Sequence, residues 1–239
     1  MSGHSKWSKI KRTKGAKDAT RGVLFSKLSK KISLAVKDGG SGDPNLNFKL
    51  RTEIDSAKTH GFTNENIDRA IKKGLGQDGG AIIEEIIYEG YGPFGTAFLV
   101  DTATDNRNRT VQKIKQIFIK NGGSLGTAGT VAWQFETKGQ ILVERDENLE
   151  NLELVAIDAG ATDVRESDEG LEIYTPPNNL NTIKEALKEA RAKIAGAEII
   201  KQSSQGVELT DEQKPKIEAL ISALEEDEDV IDVHTSANL

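Results

Sequence analysis

Apolar residues in the first third of the chain return at helical spacing. Val23, Leu24, Phe25, Leu28, Ile32, Ala35 and Val36 share one stretch, with Lys27, Lys30, Lys31 and Lys37 set among them. A stripe of that period predicts an amphipathic helix. Gly39-Gly40-Ser41-Gly42 ends it. Asp43 then reads as an N-cap with Pro44 at the first helical position. Leu46, Leu50, Ile54 and Ala57 form the apolar stripe of a second helix, which Gly61 stops. Thr63 caps a short third helix through Ile67, Ala70 and Ile71, ending at Gly74. Three helices joined by short turns predict a small helical domain.

From about residue 82 the pattern changes to short runs of β-branched and aromatic residues. Ile83, Ile86, Ile87, Tyr88 and Tyr91 read as a strand ended by Gly92-Pro93, and Thr96 to Val100 as a second. Val111 to Ile119 is helical, with Ile114, Ile117 and Phe118 on one face, and Val131 to Phe135 is a strand. Next come a strand at Gln140–Val143, a helix at Leu149–Ala159, strands at Asp163–Arg165 and Leu171–Tyr174, a helix at Leu180–Ala192 and a strand at Ala197–Lys201. That order is βαββαβ, the ferredoxin-like split unit. After it, Val207–Leu209 reads as a strand, Ile217, Leu220, Ile221 and Leu224 mark a helix, and Val230–Val233 is a strand. Pro215 leaves the start of that helix open.

The Thr96 strand, the Val111 helix and the Val131 strand before 137–205, with the Val207 strand, the following helix and the last strand after it, make a second βαββαβ set. The expected fold class is therefore α+β: an N-terminal three-helix domain followed by two ferredoxin-like βαββαβ domains, one inserted in the other. The expected boundaries are 1–78 for the basic arm and helical domain, 79–136 plus 206–239 for one α/β domain, and 137–205 for the inserted one.

Charge changes the picture most. The formal net charge is -6, yet the first 40 residues hold eleven bases against two acids, a local net of +9. Residues 76–239 hold 15 bases against 31 acids. Segregating charge in this way points to polyanion binding, and phosphate neutralisation by Lys and Arg supplies most non-specific affinity for nucleic acid. The bland alternative is a solvated basic tail. The body has 36% hydrophobic residues and no cysteine, which excludes disulfides, thiolate metal sites and thiol catalysis. The N-terminus is polar and basic, and no run approaches the roughly 18 apolar residues of a membrane span. The expected localisation is cytoplasmic, with no membrane partner.

Candidate chemistry is sparse. His4, His60 and His234 are scattered without metal-ligand spacing, and there is no Walker A loop, GxGxxG or GxSxG. In Thr104-Asp105-Asn106-Arg107-Asn108-Arg109-Thr110, Thr104 or Asp105 can cap a helix. Arg107 and Arg109 then fall in its first turn, where cations oppose the helix dipole. They meet either phosphate or acids of the body. Gly122 to Gly129 is a glycine-rich loop that serves a tight turn or, less readily, a close-lying ligand. The aromatics of Tyr88-Glu89-Gly90-Tyr91-Gly92-Pro93 read as core and turn packing rather than stacking platforms. Trp7 stacks on a base or pins the arm to the helical domain; the sequence leaves both open. Glu225-Glu226-Asp227-Glu228-Asp229 reads as a solvated turn, or as a competitor for the basic arm.

Gly3-His4-Ser5-Lys6-Trp7, Tyr88-Glu89-Gly90-Tyr91-Gly92-Pro93, Thr104 to Thr110 and Gly122-Gly123-Ser124-Leu125-Gly126, in this order, resemble the YebC/PmpR family. The mitochondrial translational activator of cytochrome c oxidase subunit I belongs to the same family. The resemblance covers essentially the whole chain. It implies three domains with the third inserted in the second, and a regulator acting on DNA or on the ribosome. No catalytic residue, cofactor, metal or small-molecule substrate is implied. The expectation is a non-enzymatic nucleic-acid-binding regulator whose partner is DNA or ribosomal RNA, with the ribosome itself a candidate. The expected contacts are Lys6, Trp7, Lys9, Lys11, Arg12, Lys14, Lys17, Arg21, Lys27, Lys30, Lys31, Arg107 and Arg109. The alternative is a Mg-dependent phosphoryl-transfer enzyme or nuclease using Asp101 and Asp105.

Overall fold

A computed structural model of the chain describes residues 18–79 and 83–239. It is a mixed α+β protein with helices first and sheets after. The helices are α1 (Asp18–Gly39), α2 (Phe48–Thr59) and α3 (Asn64–Gly74). Leu28, Ile32, Ala35 and Val36 of α1 pack on Leu50, Ile54 and Ala57 of α2 and on Ile67 and Ala70 of α3. Phe25 and Phe62 close this core edge to face, with centroids 5.2 Å apart. Thr63 caps α3 as expected, accepting from Asn66 N at 3.3 Å.

The start of α2 differs from expectation. Asp43 accepts from Asn45 N at 2.8 Å and so closes a turn over Pro44–Leu46 instead of capping a helix. The cap is Asn47, which accepts from Leu50 N at 3.0 Å while its amide donates to Ala35 O and Ser41 O. Leu46 lies outside the helix and is 78% exposed, so it is not part of the stripe.

Two compact units follow from the chain path. One contains the helices up to residue 133 together with 209–235; the other contains 134–208 with 236–239. In the first, β1 (Glu84–Tyr91) and β2 (Ala97–Thr104) form an antiparallel hairpin, followed by α4 (Arg107–Lys120) and β3 (Ser124–Leu125). Later segments add α7 (Lys214–Glu225) and β9 (Val230–Thr235), giving the sheet order β3-β1-β2-β9. Every residue of β2 is buried. Gly90 of β1 admits the Phe118 ring of α4: a Cβ there would meet the ring at 3.0 Å and Ser124 O at 2.6 Å.

In the second unit, β4 (Phe135–Glu144), α5 (Leu149–Asp158), β5 (Asp163–Ser167), β6 (Gly170–Thr175), α6 (Leu180–Glu189) and β7 (Ile194–Ser203) run in βαββαβ order. The sheet order is β5-β6-β4-β7, all neighbours antiparallel. Ile141, Val143, Leu171 and Ile173 face the helices, where Leu152, Leu180, Ile183 and Leu187 complete the core. β8 (Val207–Glu208) pairs in parallel with β10 (Ala237–Asn238).

Two strands therefore sit elsewhere than expected. Val131–Phe135 is not a strand of the outer sheet. Ala132–Gln134 is a 3₁₀ turn, and Phe135 opens β4 of the other unit. Val207–Leu209 gives β8, outside both four-stranded sheets, and β1 fills the outer-sheet position assigned to it.

Candidate nucleic-acid interface

α1 has two working faces. Leu28, Ile32, Ala35 and Val36 serve the helical core. A second stripe, Lys27, Lys30, Lys31 and Leu34, recurs at three and four residues and faces the sheet of the same unit. Leu34 packs with Ile83, Ala103 and Ile231. Lys27 donates to Glu225 O, Lys30 to Glu228 O at 2.8 Å, and Lys31 pairs with Asp232.

The centre of this cluster is Asp229, whose side chain is 2% exposed. Oδ1 accepts from Lys30 Nζ at 2.8 Å; Oδ2 accepts from Thr110 Oγ1 at 2.9 Å and from the Arg109 guanidinium at 3.1 Å. Its backbone carbonyl accepts from Ala103 N at 2.7 Å, beside the irregularity where β2 and β9 shift register. Burial alone pushes this carboxyl's pKa up. The Lys30 and Thr110 hydrogen bonds, the Lys30 charge and Arg109 outweigh that and hold it below the ordinary carboxylate value. Lys113 reaches Asp227 at 3.4 Å. The acidic 225–232 segment is thus neither a bare solvated turn nor separate from the basic residues, because it engages five cations from α1 and α4.

The helix after the hairpin explains Arg109. Asn106, rather than Thr104 or Asp105, is the N-cap, accepting from Arg109 N at 3.0 Å. Thr104 Oγ1 instead accepts from Asn106 N and lies 2.8 Å from Thr110 Oγ1, to which its own hydroxyl can donate. Asp105 is left to pair with Arg109 at 2.9 Å. Of the two first-turn arginines, Arg109 therefore meets body acids, while Arg107 is exposed and makes no ion pair among the described residues. Arg21 is also exposed, its guanidinium carbon 5.3 Å from the Phe25 centroid. Lys6, Trp7, Lys9, Lys11, Arg12, Lys14 and Lys17 lie outside the described residues.

The glycine-rich loop has a structural owner that sequence reasoning missed. Glu89, 7% exposed, accepts from Gly129 N at 2.6 Å, Val131 N at 2.7 Å and Ala132 N at 2.8 Å. Burial raises its pKa, and these three backbone donors more than reverse the effect, so the net shift is downward. A third acid of this strand, set between the aromatics Tyr88 and Tyr91, was the available signal.

Asp101 and Asp105, the alternative's candidate pair, are engaged separately. Asp101 faces His234 Nε2 at 3.3 Å, and Asp105 holds Arg109. Among the described residues no three His, Asp or Glu side chains are grouped to hold a metal, and no helix is long and apolar enough to cross a membrane.

The hairpin turn holds a further exposed aromatic. Gly92 N donates to Thr96 O at 2.8 Å, and Thr96 N and Oγ1 both donate to Pro93 O. Phe94 sits in this turn at φ 61°, ψ 21°, the left-handed region, which costs a non-glycine residue roughly 1–2 kcal/mol. Its ring is 42% exposed, and Lys216 Nζ lies 5.6 Å from the centroid. Tyr88 is buried, as expected of a packing residue, whereas Tyr91 is 37% exposed.

A helical domain clamped by its basic face to one α/β sheet, with a βαββαβ unit carried between residues 134 and 208, defines the class of protein. The chain belongs to the TACO1/YebC family. Residues 5–77 match the family's N-terminal domain, and 83–237 match its second and third domains. It is 50% identical to a probable transcriptional regulatory protein of Thermoanaerobacter pseudethanolicus, covering 100% of this chain and 98% of that one. It is 46% identical to a protein of the same description from Caldanaerobacter subterraneus subsp. tengcongensis, covering 100% and 99%. The fold is that of a conserved hypothetical protein from Aquifex aeolicus solved by crystallography: TM-score 0.83, 43% identity, 92% of this chain and 91% of that one. Regulation is the general role that the relatives' names carry.

Proposed function

We propose that this protein is a non-enzymatic regulator of gene expression that binds nucleic acid through its basic N-terminal segment, with structured ribosomal RNA as the target and the cytoplasm as its place. The observation that carries the reading is the net +9 over residues 1–40 against a body of net -16. The names of the relatives support regulation in general.

The contacts divide according to what each base already holds. Lys27, Lys30, Lys31 and Arg109 have intramolecular partners, so their part in binding is to fix the helical domain. Lys6, Lys9, Lys11, Arg12, Lys14, Lys17, Arg21 and Arg107 are the phosphate contacts, with Trp7 beside them. Five of the seven bases from Lys6 to Arg21 are lysines, which favours backbone over base-edge contact. The arginines of α2 and α3 are held locally: Arg51 donates to Pro44 O at 2.9 Å and Arg69 pairs with Glu65 at 3.0 Å. That leaves the helical domain poor in the forked donors that read duplex bases in the major groove, and it favours RNA shape over DNA sequence.

Sedimentation of a cell extract tests this. The protein should travel with ribosomes, leave them after RNase treatment and be indifferent to DNase. Migration with chromosomal DNA, released by DNase, would move the function to transcription.

A further inference from the structure

We propose that Phe94 is a stacking platform for an unpaired nucleotide base, with Lys216 as the adjoining phosphate contact, so that the hairpin turn forms a second, single-strand-reading site. The inference rests on the nucleic-acid reading above and adds to it the kind of segment bound.

Phe94 occupies a left-handed conformation at φ 61°, where Gly or Asn is favoured and a bulky side chain is an outlier. The turn itself does not require a ring. Its closing hydrogen bonds run between Gly92, Pro93 and Thr96, all through the backbone or the Thr96 hydroxyl. Strain that persists without serving the turn points to function. The conformation leaves the ring 42% exposed at the tip of a hairpin whose second strand is wholly buried.

The cation identifies the occupant. Lys216 Nζ lies 5.6 Å from the ring centroid, is exposed and makes no ion pair among the described residues. Its neighbour Lys214 is held by Asp211 at 3.0 Å. An exposed ring with an ammonium held over it by a cation–π contact, and no acid paired to that ammonium among the described residues, matches a base and its phosphate. Duplex bases are stacked on each other and cannot use it, so the ligand is single-stranded. An apolar peptide would use the ring but leave the lysine without a partner.

The test uses the full chain and a twelve-residue oligoadenylate RNA, titrated at several salt concentrations. Phe94→Leu keeps an apolar side chain but loses the π face, and should weaken binding about five- to a hundredfold with the salt slope unchanged. Phe94→Trp should bind at least as well as the parent. Lys216→Gln should lower the slope by roughly 0.7, one single-strand phosphate contact. Phe94→Asn, suited to the left-handed turn, should weaken binding without lowering the melting temperature. Equal affinity of parent and Phe94→Leu overturns the proposal, including in favour of a protein partner at the ring. So does loss of affinity in Phe94→Asn that is matched by loss of stability. Failure of the nucleic-acid reading itself looks different: the parent protein would then not bind the RNA at all.

Discussion

The two ends of the β1–β2 hairpin are built on opposite terms. At the open end, around Thr104, the buried carboxylate is answered from several sides. Asp229 takes hydrogen bonds from Lys30, Arg109 and Thr110, and Lys31 and Lys113 take Asp232 and Asp227. At the closed end a strained phenylalanine stands half in solvent under the Lys216 ammonium, which makes no ion pair among the described residues. The first arrangement removes charge from water only where partners replace it, which is how a buried carboxylate is tolerated. The second gains little stability from its most conspicuous residue. The contrast separates residues that hold this protein together from residues left available to a ligand.

Removing the anchor should have the largest effect. Asp229→Ala leaves Lys30 and the Thr110 hydroxyl without their carboxylate, and about 3–5 kcal/mol of stability should be lost, read from the urea midpoint. Next comes the loop anchor. Glu89→Gln puts an amide donor against backbone N–H groups that need an acceptor, and should cost about 1–3 kcal/mol by the same measurement.

Acid probes the same carboxylates. Asp229 and Glu89 both have folded pKa values below their unfolded ones. The stability they contribute is therefore complete above the unfolded values, about 4, and is lost as pH falls through the folded values. The urea midpoint of the parent should drop on acidification below about pH 4, and the drop should be shallower in Asp229→Asn. An equal drop in both would remove Asp229 from the account. The smallest stability effect belongs to the closed end, where Phe94→Asn should leave the urea midpoint unchanged or slightly higher.

The sequence was most readable where one kind of order acted alone. Periodicity located the helices because α1 to α3 bury continuous stripes, and Thr63 was readable as a cap because a hydroxyl before a polar first turn has few other uses. The elements β4 to β7 were legible because their βαββαβ order is complete within residues 135–203. Tertiary competition hid the rest. Asn47, not Asp43, caps α2 because its amide also reaches Ala35 O and Ser41 O across the turn, a contact that no local pattern encodes. Short apolar runs at Val131 and Val207 carry no sign of which sheet they join. The intramolecular partners of the α1 lysine stripe were hidden because they lie about two hundred residues further along.

The central claim is that phosphate affinity resides in the arm and not in the lysines of α1. It is tested most directly by the salt dependence of RNA binding in two full-length variants. One replaces Lys6, Lys9, Lys11, Arg12, Lys14 and Lys17 with Gln; the other replaces Lys27, Lys30 and Lys31 with Gln. The arm variant should lose roughly 0.7 to 0.9 of log–log slope for each contact removed. The α1 variant should keep the parent slope and unfold at lower urea. A parent-like slope in the arm variant, with the loss appearing in the α1 variant, would contradict the account.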